Sequence, residues 1–258
     1  MSTDKIFKFL HAIYNFIIDF IFPPTCVICD EVYAKKRFIE EEYICDLCRK
    51  RIRFLDKFET RCKKCSRPVD NNSIICPACQ VIRYKYDIAI ASTIYEKQMR
   101  EALLSYKFAG QFYKYKTFAK LMLSEMNKHS YLPNFDIIVS VPSTKKRNKH
   151  KGFDHIEPIA KYISRALKVR YERKGVRKIK ETPPQSTLTF KERFLSVKGA
   201  YKLNKKLNFK AKSVLLIDDI YTTGATASEI AGLLKRSGAK FVAVLTLCIT
   251  PTISEREK

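Results

Sequence analysis

The sequence predicts an α/β protein in which a mostly parallel sheet is flanked by helices and follows a cysteine-rich segment. From residue 84 onward, short apolar runs alternate with longer stretches of helical periodicity, which is typical of a parallel sheet with crossover helices. Eight cysteines fall into four C-x-x-C pairs between residues 26 and 79. The apolar run at 214–217 leads directly into two carboxylates and a hydroxyl-rich turn. Ligands bind at the carboxyl ends of parallel strands, so this turn is the first candidate for a binding site.

These patterns divide the chain into three parts. We expect an N-terminal amphipathic helix within residues 1–24, a double zinc ribbon at 25–83 and an α/β domain at 84–258. The apolar share of 46% is ordinary for a globular protein and allows a buried core to form.

The N-terminal helix is predicted from residues 4–22, in which Lys8, His11, Asn15 and Asp19 recur every three to four positions. The stretch is too short and too polar to span a bilayer. We expect it to pack on the protein's own body. A helix on the membrane surface and a helix that binds a partner protein are the alternatives.

The net charge is strongly positive. Lys and Arg number 50 and Asp and Glu 26, which gives +24 at pH 7. Such a balance favours a polyanionic partner, namely nucleic acid, a membrane surface or a phosphorylated ligand. A lysine-rich proteome with solvated surfaces is the alternative explanation. The sequence contains no secretory signal with a small-residue cleavage site, so we expect a cytoplasmic protein, with membrane association through residues 4–22 left open.

Each C-x-x-C pair, here called a knuckle, presents two thiolates to one ion, and two knuckles complete a tetrahedral site. Knuckles in a chain without a secretory signal favour metal over disulfides. We therefore predict two structural zinc ions. The sequential pairing gives Cys26, Cys29, Cys45 and Cys48 for the first ion and Cys62, Cys65, Cys76 and Cys79 for the second. An interleaved pairing is the alternative.

Basic and aromatic residues lie among the knuckles, a combination that binds single-stranded nucleic acid in other proteins. They are Arg49, Lys50, Arg51, Arg53, Arg61, Lys63, Lys64 and Arg67, with Tyr43, Phe54 and Phe58 nearby. A small solvated zinc module explains them equally well. The ninth cysteine, Cys248, ends an apolar run, and we expect a buried, inert thiol there.

The α/β part is predicted element by element from its periodicity. Strands are expected at 87–95, 136–141, 169–173, 214–217 and 241–247. Helices are expected at 98–108, 113–128, 153–167, 189–195 and 226–236, with an exposed loop at 174–190.

The turn after residue 217 has the composition of an anion site. Its free N–H groups, its hydroxyls and the following helix N-terminus favour a phosphate, and a glycine allows the backbone to approach it. The residues are Thr222, Thr223, Gly224, Ala225 and Thr226. The preceding Asp218 and Asp219 suit sugar hydroxyls or Mg²⁺ instead.

A second polar turn follows the strand at 136–141 and is cationic. Its candidate ligands are Ser143, Lys145, Lys146, Arg147, Lys151 and Gly152. A ligand with two negative groups around a sugar would span both turns, whereas a solvated or nucleic-acid-binding loop is the alternative. The segment at 176–199 is long and polar and is a candidate lid, with a disordered connector as the alternative.

The strand, acid pair and T-T-G-A-T together resemble the signature for 5-phosphoribosyl-1-pyrophosphate (PRPP) in type I phosphoribosyltransferases. Over nearly its full length the chain resembles the ComF family of competence-associated, phosphoribosyltransferase-like proteins. That resemblance rests on the knuckles, the Y-E-K-Q-M-R…K-F-A-G segment at 95–110, the K-G-F of the basic loop and the segment at 182–201. Two positions depart from the family pattern: Lys151 replaces an arginine and Ser196 an asparagine.

The resemblance implies a type I phosphoribosyltransferase-like fold for 84–258. It also implies that Asp218 and Asp219 hold ribose hydroxyls and Mg²⁺ in a catalytic role. Residues 222–226 would bind the 5-phosphate, residues 143–152 the pyrophosphate, and the segment at 176–195 would close over both. The expected function is DNA uptake in natural transformation, with PRPP, single-stranded DNA and other uptake proteins as partners. A phosphoribosyltransferase acting on an unidentified base is the alternative, and a nucleobase-salvage enzyme is a weaker one.

Overall fold

The computed structural model describes residues 25–32, 43–70, 73–142, 154–183 and 188–251. The chain forms two compact units, Met1–Ile52 and Arg53–Lys258. The first unit holds the first two knuckles, and the second holds the other two together with the sheet. The helix predicted at 4–22 lies outside the described residues. Within the described ranges, no helix combines the length and hydropathy needed to cross a bilayer.

Helices and strands alternate through the second unit, as predicted. The described α-helices are α1 (Asp46–Arg51), α2 (Pro77–Val81), α3 (Lys97–Phe108), α4 (Tyr115–Asn127), α5 (Ile156–Leu167), α6 (Phe190–Val197) and α7 (Ala225–Arg236). The strands are β1 (Ile88–Ile94), β2 (Ile137–Ser140), β3 (Arg170–Tyr171), β4 (Val176–Lys178), β5 (Tyr201–Leu203), β6 (Ser213–Tyr221) and β7 (Phe241–Ile249).

Five strands form one parallel sheet in the order β1-β7-β6-β2-β3. The last strand of the described chain, β7, therefore lies between β1 and β6. In register, Ser140 at the end of β2 pairs with Ile217, and Asp218 pairs with Thr246 of β7. The carboxyl ends of β2 and β6 are consequently neighbours, so the two polar turns begin side by side as the sequence predicts.

The core lies on the two faces of this sheet. β1 and β7 are buried along almost their whole length, which explains why they are mostly apolar rather than alternating, with Ser92, Thr93 and Thr246 as their buried polar residues. Helices α4 and α5 pack on each other and on the sheet, while α7 packs on β6 and β7 together with α6 and β5. Phe118 and Met122 of α4 and Ile159 and Ile163 of α5 are fully buried. Each such side chain contributes about 1.5–3 kcal/mol.

The open edge of β1 is covered by the cysteine-rich segment of the same unit. The N–H group of Ala89 donates to the carbonyl of Lys64 and that of Ile94 to the carbonyl of Arg53, each at 2.9 Å. The Ser66 hydroxyl donates to the carbonyl of Ala89 at 2.9 Å. This cover satisfies an edge that would otherwise be free to pair with another chain.

The structure confirms the predicted helices and strands, with ends that differ by a few residues, but the exposed loop predicted at 174–190 is wrong in part. β4 and β5 pair antiparallel within and beyond that stretch, and Val176 is buried. Strands of three residues are too short to display an alternating pattern, so they cannot be recognised from periodicity. Helix α6 begins as predicted, because Thr189 and Glu192 form a capping box.

Candidate phosphate site and metal centres

The first knuckle of each zinc site forms the same backbone turn. The residue after the second cysteine donates its N–H to the carbonyl of the first cysteine, from Asp30 to Cys26 and from Ser66 to Cys62, each at 2.8 Å. Asp30 and Ser66 both have a left-handed φ of 60°. The repeated geometry reverses the chain tightly enough for both thiolates of a knuckle to face one ion.

The cysteines assemble in the sequential pairing. The sulfur atoms of Cys26, Cys29, Cys45 and Cys48 lie within 4.8 Å of one another, as do those of Cys62, Cys65, Cys76 and Cys79. A tetrahedral zinc site with Zn–S bonds of about 2.3 Å places its sulfurs about 3.8 Å apart. The sulfurs of Cys65 and Cys76 are 3.6 Å apart, so the donor set fits zinc. Because four thiolates fill the coordination sphere, both sites are structural.

The hydroxyl-rich turn lies between β6 and α7 and has the geometry of an anion cradle. Residues 222–224 connect the two elements, and α7 begins at Ala225 with Gly224 as its N-cap. The turn therefore sits at a helix N-terminus, where unpaired N–H groups and the helix dipole favour negative charge. A small cavity of about 30 Å³ opens beside it and is lined by Asp218, Tyr221, Thr222, Gly224, Thr226 and Thr246, among others.

Gly224 is required in this cradle for two reasons. Its φ of +76° lies in the left-handed region, which favours glycine. A Cβ atom there would also lie 2.7 Å from Cζ of Tyr221 and 2.9 Å from Cε1 of Tyr84. The backbone can make this turn only because the position has no side chain.

The acid pair lies within β6 rather than after it, because the strand continues to Tyr221 instead of ending at the predicted residue 217. Successive side chains of a strand point to opposite faces, so the two carboxylates separate. Asp218 is half-buried and lines the cavity of the cradle. Asp219 is buried on the other face.

Asp219 is bound by two basic side chains from other elements. Its Oδ2 atom lies 2.6 Å from Nε2 of His155, which immediately precedes α5, and pairs with Nζ of Lys107 at the end of α3. Burial raises the pKa of Asp219, but the charge of Lys107 and the hydrogen bond from His155 outweigh it and hold the pKa well below its usual range.

Asp218 has the opposite electrostatic environment. Burial and then the negative charge of Asp219 raise its pKa well above the usual range of an aspartate. The pKa values of these two adjacent carboxyls thus differ in opposite directions from the ordinary value. Asp219 is held as an anion, whereas Asp218 readily accepts a proton or a cation. Pairs split in this way are typical of sites that handle charge.

Some of the remaining predicted ligands lie outside the described residues, and others lie in the described parts of the candidate lid. Ser143, Lys145, Lys146, Arg147, Lys151 and Gly152 lie outside the described residues. In the candidate lid, side chains bond locally: Lys178 donates to the hydroxyl of Thr182 at 2.6 Å, and Arg193 donates to the carbonyl of Leu188 at 3.0 Å. The described parts of the lid segment are β4, α6 and their flanks.

Four basic residues of the cysteine-rich segment form ion pairs or hydrogen bonds with other residues of the second unit. They are Arg53 with Glu96, Arg61 with Glu125, Lys64 with the carbonyl of Asp87, and Arg67 with the carbonyl of Thr222. Lys50, Arg51 and Lys63 are exposed. The charge available to an external polyanion is therefore smaller than the sequence suggests.

Lys107 and His155 were not among the predicted site residues, although Lys107 belongs to a segment that carries the family resemblance and His155 lies two residues beyond another. Lys107 is the lysine of K-F-A-G, and His155 ends the basic loop sequence P-S-T-K-K-R-N-K-H-K-G-F-D-H. The signal that could have found them is a lone cation at the end of a helix and a histidine after a buried strand. Only the fold brings both to one carboxylate.

Two family models match the chain. A double zinc ribbon domain matches residues 17–80, and a phosphoribosyl transferase domain matches residues 157–258. Both agree with the geometry above, since the first covers both cysteine clusters and the second covers the cradle.

The chain is similar to curated proteins concerned with DNA. It is 28% identical over 210 residues to the DNA utilization protein YhgH of Escherichia coli (strain K12), covering 80% of this chain and 90% of that protein. Competence protein F of Haemophilus influenzae is 26% identical over the same coverage of both chains. Competence protein ComFC of Streptococcus pneumoniae is 30% identical over 158 residues, covering 59% of this chain and 64% of that protein.

Among solved structures, the purine phosphoribosyltransferase from Pyrococcus horikoshii Ot3 matches 54% of this chain and 75% of its own, at a TM-score of 0.35 and 16% identity. That level of similarity carries no argument about activity. The two domain models agree with the parallel sheet, the cradle and the two cysteine clusters. The combination of a double zinc ribbon with a phosphoribosyl transferase domain, together with the competence relatives, matches the ComF family of competence-associated proteins.

Proposed function

We propose that this protein is a DNA-uptake factor of natural transformation that binds PRPP with Mg²⁺ and contacts single-stranded DNA. The observation that carries the PRPP part is the cradle, in which a left-handed glycine at a helix N-terminus faces a half-buried carboxylate. The DNA part is supported by the names of the relatives, by the net charge of +24 and by exposed Lys50, Arg51 and Lys63.

The cradle suits the 5-phosphate of PRPP, and Asp218 suits the ribose hydroxyls or the cation. Mg²⁺ is commonly held by one or two carboxylates together with the oxygens of a substrate's phosphates. One available carboxylate is therefore enough, since Asp219 is occupied by Lys107 and His155. The negative charge of Asp219 contributes to the raised pKa of Asp218, and a cation beside Asp218 would offset that charge.

Binding of PRPP should depend on Asp218. We expect the Asp218→Asn variant to bind PRPP in the presence of Mg²⁺ at least tenfold more weakly, because it loses the carboxylate that lines the cradle and has no ion-pair partner among the described residues. Isothermal titration calorimetry in a chelator-free buffer, with and without Mg²⁺, measures this without removing zinc. Asp136→Asn is the matched control, because Asp136 bonds the first residue of β6, Ser213, at the opposite end of the strand.

Intact protein that shows no heat of binding with PRPP and Mg²⁺ would contradict the PRPP proposal. Equal affinities of Asp218→Asn and the unchanged protein would instead restrict the site to phosphate recognition by the cradle alone.

Binding of single-stranded DNA should weaken steeply with salt, because contacts to phosphates release counterions. We expect the logarithm of affinity to fall linearly with the logarithm of salt concentration, with a smaller slope after Lys50 and Arg51 are both replaced by glutamine. Fluorescence anisotropy of a labelled oligonucleotide between about 50 and 200 mM salt measures both slopes. Affinity that does not change with salt would count against the DNA contact.

A second candidate is an active phosphoribosyltransferase with an unidentified acceptor base, favoured by the presence of both the cradle and the split acid pair. Pyrophosphate would leave C1 of the ribose while positive charge develops on the sugar, so positioning and water exclusion are the main demands on the protein. An assay of pyrophosphate release from PRPP against a panel of bases, with and without single-stranded DNA, separates this candidate from a protein that only binds PRPP.

A further inference from the structure

The cradle is contacted by the second ribbon on its carbonyl side. Nη2 of Arg67 donates to the carbonyl of Thr222 at 2.9 Å, and the hydroxyl of Tyr84 donates to the carbonyl of Thr223 at 2.7 Å. Arg67 follows the knuckle that ends at Cys65, and Tyr84 follows the short helix that carries the other knuckle. Each knuckle of the second zinc site thus supplies one donor to consecutive carbonyls of the phosphate turn.

These two bonds fix the orientation of the peptide groups that would meet a phosphate. The carbonyl of Thr222 shares a planar peptide with the N–H of Thr223, and the carbonyl of Thr223 shares one with the N–H of Gly224. In a trans peptide the C=O and N–H bonds point in opposite directions. Holding both carbonyls towards the ribbon therefore directs both N–H groups away from it. In the described part of the chain, neither N–H group has a protein acceptor.

The ribbon is itself attached firmly to the sheet. The rings of Tyr84 and Tyr86 stack with centroids 5.1 Å apart, and the hydroxyls of Tyr86 and Tyr221 lie 2.5 Å apart. Ser66, between the cysteines and Arg67, is buried and bonds the carbonyl of Ala89. The donors to the cradle therefore stand on a support that includes the second zinc site and the first strand.

We propose that Arg67 and Tyr84 are positioning residues of the phosphate cradle and that zinc in the second ribbon is coupled to anion binding there. The inference rests on the proposed function, in which the cradle binds PRPP. Zinc orders the two knuckles, the knuckles place the two donors, and the donors orient the N–H groups. Coupling of this kind is reciprocal, so PRPP must strengthen zinc binding by the factor by which zinc strengthens PRPP binding.

The binding test uses variants that keep all eight zinc ligands. Tyr84→Phe removes one hydroxyl and keeps the ring stacking, whereas Arg67→Met removes the other donor. We expect each to raise the Kd of PRPP about five- to tenfold, within the usual range of coupling between sites. Arg67→Lys retains a donor and should restore part of the loss. Gln80→Ala is the matched control, because exposed Gln80 bonds the carbonyl of Ile75 within the same ribbon, so its loss should leave the Kd within about twofold.

The zinc test measures the reciprocal effect. Total zinc per chain is first determined by elemental analysis, with two ions expected for the intact protein and for each variant. The intact protein is then titrated with a colorimetric zinc chelator with and without saturating PRPP. We expect PRPP to raise the chelator concentration needed to remove zinc by about five- to tenfold. The double variant Arg67→Met, Tyr84→Phe should lose that shift.

The outcomes separate the two proposals. Absence of PRPP binding to the intact, zinc-loaded protein overturns the proposed function and the inference together. Tight PRPP binding by the intact protein and by both donor variants, with no effect of PRPP on zinc retention, overturns the inference alone. Weaker PRPP binding with two zinc ions retained, rescued by Arg67→Lys, supports positioning rather than loss of the fold.

Discussion

The Gly224→Ala variant is expected to lose PRPP binding and to be less stable than the unchanged protein by about 3 kcal/mol. A left-handed φ of +76° costs alanine about 1 kcal/mol or more, as the strain of a side chain in that region. Overlap of the added Cβ with the rings of Tyr221 and Tyr84 adds about 1–3 kcal/mol, because a packed interior yields little. Denaturant unfolding and calorimetry with PRPP measure the two effects.

Gly110→Ala is the control that isolates backbone strain. Gly110 has nearly the same dihedral angle, φ +73°, but nothing lies within 4 Å of an added Cβ. We expect this variant to lose only about 1 kcal/mol and to bind PRPP normally. If the two alanine variants were equally stable and bound PRPP equally well, the close fit at the cradle would have no energetic significance.

Replacing Lys107 with methionine is expected to lower the free energy of unfolding by about 3 kcal/mol, because it removes one of the two basic partners of the buried carboxylate of Asp219. The side chains of Lys107 and Asp219 are only 16% and 11% exposed, so water screens the pair poorly. Lys161→Met is the matched control: Lys161 pairs with Glu157 at 2.7 Å but is 53% exposed, and its loss should cost under about 1 kcal/mol.

The pH dependence gives this prediction a second readout. In the unchanged protein the pKa of Asp219 is depressed, so its stabilising contribution is present above the ordinary carboxyl pKa of about 3.9 and is lost as pH falls further. In Lys107→Met the pKa of Asp219 should rise relative to the unchanged protein, because burial is then opposed by His155 without the lysine. Protonation then relieves the penalty, so the deficit of the variant should shrink as pH is lowered from 7 towards 4.

Urea unfolding at several pH values, with Lys161→Met measured in parallel, cancels the effect of acid on the zinc sites. A deficit for Lys107→Met that is no larger than that of Lys161→Met would argue that Asp219 is not held as a buried anion. A deficit that does not change with pH would argue that lost packing, rather than charge, explains the variant.

Much of the fold follows from local sequence. β1 and β7 are mostly apolar without polar alternation, and such runs identify strands that are buried on both faces. Helix α6 has its capping box in Thr189 and Glu192, which are adjacent enough to form a recognisable signal. The pairing of β4 with β5 has no local signature, since each strand is three residues long and is fixed by its partner.

The length of β6 also depends on its neighbours. Asp218 and Tyr221 do not form an apolar run, yet they remain in the strand because β7 supplies Thr246 and Ile249 as partners. The sequence therefore identifies the acid pair but not its geometry. Whether two adjacent carboxylates share one ligand or face opposite sides of a sheet is decided by pairing with a strand far along the chain.

For the candidate site too, the contiguous residues were predictable from the sequence, whereas their distant partners were not. The glycine and hydroxyls of the cradle form one contiguous segment, so the sequence alone suggests their proposed role in binding a phosphate. The partners of that segment come from distant parts of the chain: Lys107 and His155 reach Asp219, and Arg67 and Tyr84 reach the cradle carbonyls. A basic residue near a knuckle has the same sequence signature whether it binds DNA or a carbonyl.

The position of β7 in the sheet has a consequence for how this protein forms during synthesis. In the described sheet, β1 pairs only with β7, so it has no strand partner until residues 241–249 have left the ribosome. The ligands of the first zinc site, in contrast, lie within 26–48 and those of the second within 62–79, so each set is synthesised as one short segment. Long-range pairing is the slow step of folding. A nascent chain can therefore complete its cysteine clusters well before it can complete the sheet that carries the proposed phosphate cradle.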